Sequence, residues 1–156
     1  MKIIKFIVSI AIPLLVGFVG SLVTIPSIDS WYQLLNKPSF NPPNWIFSPV
    51  WTALFILMGI SLFIIWINKN NSKAKRIFVG LFIIQLILNF LWSFIFFGWH
   101  SPFWALMEII LLLISIIALI ISAGKISKAS AWLLVPYLLW VGFATFLTFN
   151  IWMLNK

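Results

Sequence analysis

Gln85, Asn89, Trp92, Ser93 and Phe96 recur at i, i+4, i+7, i+8 and i+11 within one apolar run, a spacing that gathers them on one helix face. Amides in such a run are costly unless they face protein or water. Two readings stay open from the residues alone. The amides bond to neighbouring helices, worth about 0.6 kcal/mol each, or they line a cavity. Trp140 lies near the middle of the last apolar run, where its indole N–H needs a partner. Trp51 and Trp92 lie roughly one to two turns inside the same end of their runs. These three indoles are either core packing or the wall of a binding site. No acid–base pair, Ser-His-Asp set or glycine-rich phosphate loop accompanies them.

Glu108 is the one acid inside an apolar run. Buried there it must be protonated or hydrogen-bonded. A ligand or proton site is one reading, and the preferred one is a structural pair with another helix. His100 is the sole histidine and there is no cysteine, so no metal site is expected and thiolate or disulfide chemistry is excluded. No cofactor is implied.

The elements that hold these residues follow from composition. Only 8% of the 156 residues are charged and 63% are hydrophobic, against about 25% charged in soluble domains. Five runs reach the roughly 20 residues that a membrane span needs, at about 3–25, 45–67, 74–98, 102–123 and 129–153. Continuous apolarity argues for helices over barrel strands. The expected fold is therefore all-α, a five-transmembrane-helix bundle forming a single membrane domain over 1–156. Lys2 and Lys5 before the first run resemble a signal peptide, but Leu22-Val23-Thr24-Ile25 offers no cleavage site, so the run is expected to stay as a helix.

The net charge of +8 does not point to nucleic acid, because the cations sit in short loops. Lys2, Lys5, Lys69, Lys73, Lys75, Arg76, Lys125 and Lys128 fall at one end of the spans, and only Lys37 and Lys156 at the other. Positive loops stay in the cytoplasm. The N-terminus is expected there, with the first loop, the His100 turn and the C-terminus outside.

That first loop, Trp31 to Trp51, holds four of the eight prolines. Lys37-Pro38, Asn41-Pro42-Pro43 and Ser48-Pro49 describe a stiff connection, and loops on rigid scaffolds are where binding concentrates. Trp45, Trp66, Trp99, Trp104, Trp132 and Trp152 sit at span ends, as an aromatic belt would. Pro13 and Pro136 are expected to kink the first and fifth helices, and Gly17 with Ser21 forms a small-xxx-small pair.

The ordered blocks Trp31-Tyr32, Leu35, Lys37-Pro38, Pro42-Pro43, Pro49-Val50-Trp51, Gln85-Leu86, Leu88-Asn89, Trp92-Ser93, Phe96-Phe97, Pro136-Tyr137-Leu138, Trp140 and Phe143-Ala144 resemble the translocator protein family, also called TspO/MBR or tryptophan-rich sensory proteins. The resemblance covers nearly the whole chain. It implies a five-helix bundle, usually a homodimer, with a pocket under the first loop. Family members bind porphyrins and isoquinoline or benzodiazepine-type drugs, and some are reported to degrade protoporphyrin in light.

Carried over by motif, the pocket takes Tyr32, Pro42, Trp51, Phe55, Asn89, Phe90, Trp140 and Ala144, and the cavity-lining reading adds Trp92. Trp51 and Trp140 are the pair assigned to photochemistry. Porphyrin propionates are expected at Lys37 or at outward-facing N–H groups. Animal members end with a cholesterol-consensus segment, whose tyrosine and arginine are replaced here by Phe149 and Met153. Cholesterol is therefore not carried over as a partner. The function implied is a membrane receptor or sensor of tetrapyrroles, with a transporter as the alternative; no repeated halves favour the latter.

Overall fold

The computed structural model describes residues 1–69 and 72–156. Its elements in order are α1 (Lys2–Ile28), the single turn α2 (Trp31–Leu34), α3 (Asn44–Ile67), α4 (Ser72–Ser93), a π-helical turn (Phe94–Gly98), α5 (Pro102–Gly124) and α6 (Lys128–Leu154). Five helices are long and apolar enough to cross a membrane, so the chain is a multi-span membrane protein. With the backbone satisfied inside each helix, spans of this length meet the main demand of a lipid solvent.

Local residues set the ends. Ser127 caps α6 by accepting from the Ser130 N–H at 3.3 Å, and Pro102 opens α5 at its first turn, where a missing N–H costs nothing. Two boundaries differ from expectation. α1 runs three residues past Ile25, through Pro26, because a proline in the final turn is held by its surroundings: Ser30 Oγ donates to the Pro26 carbonyl at 2.7 Å. The first loop starts as the turn α2, where no helix was expected, while α3 begins at Asn44 with Pro49 inside it, as the expected span 45–67 implies.

The five spans form a closed ring in the order α1, α3, α6, α5, α4 and back to α1. Without a hydrophobic driving force between helices in lipid, close packing and interhelical hydrogen bonds hold such a ring. At the α1–α3 seam the backbones touch. A Cβ on Gly59 would stand 2.6 Å from Ile10 Cα and 2.8 Å from the Ser9 carbonyl oxygen. At the α3–α6 seam, Ser61 and Ser130 share a hydroxyl contact of 2.6 Å, and each donates to the other's carbonyl at 3.1 Å. One core of buried side chains, including Met58, Ile65, Phe78, Ile116 and Tyr137, fills the ring. A second, around Tyr32, Phe96, Phe97 and Leu147, lies beneath the first loop. Trp45, Trp66, Trp99, Trp104 and Trp132 stand exposed near span ends, as a belt requires, whereas Trp152 packs on Phe103 and Phe149.

The π-helical turn ends in a tight reversal. The Trp99 N–H reaches the Phe94 carbonyl at 3.0 Å and the Ser101 N–H reaches Ile95 at 3.3 Å, with His100 between them at φ 52°. A left-handed conformation costs a residue with a Cβ roughly 1–2 kcal/mol. His100 holds it by stacking on Trp31 at 4.5 Å, and its Nε2 lies 3.4 Å from Ser27 Oγ. The Ser27 hydroxyl donates to the Phe97 carbonyl at 2.6 Å. The base of the first loop is thereby fixed to the end of the third span.

Candidate functional site

Under the first loop the ring encloses a cavity of about 400 Å³, within the size range of small-molecule sites. Its walls come from α1, α2, α3, α4, the π-helical turn and α6, and α5 contributes nothing to them. Room arises where side chains are small. Gly17 of α1 sits against the Phe55 ring, so closely that a Cβ would stand 2.7 Å from Phe55 Cδ2. The small pair Gly17 and Ser21 therefore faces the cavity.

Tyr32, Trp51, Phe55, Asn89, Phe90, Trp92, Trp140 and Ala144 all line this cavity. Pro42 does not; it sits half-buried in the loop, its carbonyl accepting from Asn41 Nδ2 at 3.2 Å. The loop presents Tyr32 to the cavity instead, its hydroxyl donating to Asn41 Oδ1 at 2.8 Å. Burial pushes the Tyr32 phenol up from its ordinary value, with the Asn41 bond pulling the other way, so it stays a neutral donor. The aromatic walls are ordered by mutual contact. Trp51 tilts on Phe55 at 5.6 Å and meets Tyr137 edge-on at 6.2 Å. Trp92 stacks on Phe96 at 5.2 Å. Trp140 is gripped by Phe47 and Phe143. Phe47, Thr24 and Thr148 also line the cavity and were missed from sequence, because isolated threonines and a phenylalanine in apolar runs show no distinguishing spacing.

The helix-face amides take both of their possible roles. Tyr137, fully buried on α6, donates to Gln85 Oε1 at 2.8 Å and accepts from Asn89 Nδ2 at 2.9 Å. Gln85 Nε2 then points to Met58 Sδ at 3.7 Å. Gln85 is thus purely a helix-to-helix bond, while Asn89 both joins that cluster and faces the cavity.

Four other polar groups are buried with no hydrogen-bond partner among the described residues: the indole N–H of Trp92, that of Trp140, the Ser9 hydroxyl and both Glu108 carboxyl oxygens. The two indoles belong to cavity residues. Glu108 lacks the interhelical pair expected for it. Gln85, Asn89 and Tyr137 are bonded to one another and not to Glu108.

The loop is tied down at its far side. The Asn36 N–H donates to Asn155 Oδ1 at 3.0 Å, and Asn155 Nδ2 donates back to the Asn36 carbonyl at 2.8 Å. Phe40 stacks on Phe146 at 5.3 Å. Lys37 is turned onto the loop itself, donating to the carbonyls of Tyr32, Leu35 and Gln33 at 2.7, 3.2 and 3.5 Å. With all three ammonium hydrogens so placed, it is not the free cation that the sequence suggested for propionates.

Comparison with known proteins matches residues 9–153 to a model of the TspO/MBR family. The chain is 46% identical over 157 residues to the tryptophan-rich protein TspO of Archaeoglobus fulgidus, covering 99% of both chains. It is 45% identical to the protein of the same name from Chlorobaculum tepidum, covering 99% of this chain and 98% of that one. With the translocator protein of Homo sapiens it shares 36% identity, over 90% of this chain and 83% of the human one.

Proposed function

Because the chain belongs to the TspO/MBR family, we propose that it is an integral membrane receptor or sensor that holds a porphyrin of the protoporphyrin type, or an isoquinoline or benzodiazepine-type molecule of similar flatness, in the cavity beneath the first loop. The observation that carries this reading is the pair of buried indole N–H groups, Trp92 and Trp140, that have no acceptor among the described residues and belong to the cavity wall. Leaving a buried donor unsatisfied costs about 1–3 kcal/mol. A ligand bearing acceptors relieves that cost, and one with an aromatic face stacks on the surrounding rings.

A metal-free porphyrin suits the site better than haem. The sole histidine, His100, is outside the cavity wall, so no imidazole is offered for axial ligation. The first turn of α3 has no side-chain cap, and Asn44 and Ser48 there line the cavity; its N–H groups suit a propionate. Trp51 and Trp140, which line the cavity, are the indoles that we assign to reaction with the bound pigment when it is excited in oxygen. The receptor works as a homodimer, with the N-terminus in the cytoplasm and the loop and C-terminus outside, following the charge asymmetry of the loops.

Titration of the purified protein with protoporphyrin is the test. Binding quenches tryptophan emission with a micromolar or tighter midpoint, and Trp92→Phe and Trp140→Phe each weaken it about two- to tenfold. Trp104→Phe, on the exposed face of α5, leaves the midpoint unchanged. Absence of quenching, or equal weakening by all three variants, overturns the proposal.

A further inference from the structure

A second hollow lies at the opposite end of the bundle, where α5 turns into α6. The turn is tight: the Ile126 and Ser127 N–H groups both reach the Ala123 carbonyl, at 2.9 and 2.8 Å. Lys125 lies within this turn and Lys128, at the start of α6, lines the groove beside it. That groove is apolar, about 250 Å³, and runs between Ile120 and Gly124 of α5 and Lys128, Ala131, Trp132 and Val135 of α6. The groove exists because its floor is small; a Cβ on Gly124 would meet Ala131 Cβ at 3.8 Å. Trp132, 71% exposed, flanks it at the level where indoles sit in the interface.

Charge decides what fills it. The chain has ten lysines and arginines and only two acids. Asp29 follows α1 at the loop end, and Glu108 is buried in α5. The counter-charge for Lys125 and Lys128 must therefore come from outside the chain. We propose that this groove is a binding site for an anionic phospholipid of the surrounding bilayer. One acyl chain lies along Ile120, Gly124, Ala131 and Val135, and the headgroup phosphate sits between Lys125 and Lys128. Basic pockets between membrane helices recognise acidic headgroups in this way. None of these residues lines the ligand cavity, so the site stands independently of the porphyrin reading.

Native mass spectrometry of the full chain in detergent, with phosphatidylglycerol and phosphatidylcholine of identical acyl chains, tests it. The wild type retains phosphatidylglycerol about tenfold more tightly. Lys125→Gln with Lys128→Gln brings the two lipids level. Ala131→Leu, or Gly124→Leu should the first variant fail to fold, weakens both lipids. Lys73→Gln with Lys75→Gln, at the start of α4, keeps the preference. Glycerol 3-phosphate, which has the headgroup without the chains, competes only at far higher concentration. Equal retention of the two lipids by the wild type overturns the proposal, as does a preference that survives loss of Lys125 and Lys128. Equal loss in the Lys73/Lys75 variant also overturns it, since a diffuse basic surface then suffices.

Discussion

Replacing Tyr137 by Phe removes one oxygen and strands two groups. Gln85 Oε1 loses its donor and Asn89 Nδ2 loses its acceptor. The consequences are unequal. Gln85 is fully buried and has only the long contact from its Nε2 to Met58 left, so its carbonyl has nowhere to turn. Asn89 faces the cavity and can swing its amide into it. Interhelical hydrogen bonds in membranes average about 0.6 kcal/mol and reach about 1.7, so two of them are worth about 1–3 kcal/mol. At about 2–4 °C per kcal/mol for a chain of this size, thermal unfolding in detergent should fall by about 2–12 °C. Protoporphyrin binding should persist, because the cavity keeps every ring and gains a freed amide. A transition within about 1 °C of wild type would refute the view that this cluster fastens α4 to α6.

Three further outcomes follow from the packing. Gly59→Ala drives a methyl into the α1 backbone; the overpacking, about 1–3 kcal/mol or more, exceeds the roughly 1 kcal/mol gain in helix propensity, so the variant unfolds at lower temperature, and an unchanged transition would mean that α1 and α3 are free to separate. Asn155→Ala removes the reciprocal bonds to Asn36, so ligand dissociation followed by stopped-flow displacement should quicken about threefold or more with little change in thermal stability; an unaltered rate would deny the loop its role as a lid. At saturating porphyrin, Trp51→Phe and Trp140→Phe should slow loss of the porphyrin absorbance under illumination in air, and parental rates in both would leave the protein as a holder of pigment only.

The sequence made the spans legible because lipid imposes one rule on long segments, and apolar length is visible residue by residue. It also exposed the face of Gln85, Asn89 and Trp92, since a polar group among apolar neighbours stands out at helical spacing. What it hid depends on partners far along the chain. Ser61 and Ser130 look like any serines in a span until the ring sets them 2.6 Å apart. Lys37 reads as a free cation until the loop folds back and gives it three carbonyls. Pro42 reads as a wall residue until the loop folds and presents Tyr32, bonded to Asn41, to the cavity in its place. The π-helical turn left no signal, because its extra residue shifts Phe96 and Phe97 without changing the hydrophobicity of the run.

The ring order has a consequence for how the chain is made. α1 packs on both α3 and α4, and α4 on α5, and α6 closes the ring between α3 and α5. A ribosome delivers that last span after all the others. Until it arrives, the assembling bundle is a crescent with its polar contents facing the lipid: Ser61 lacks Ser130, and Gln85 and Asn89 lack Tyr137. The final helix is a keystone that supplies the missing bonds, the Trp140 wall and the Asn155 tether in one insertion event. A chain stopped before residue 128 would therefore span the membrane four times and still hold no pocket, and it would present quality-control proteases with an open polar seam.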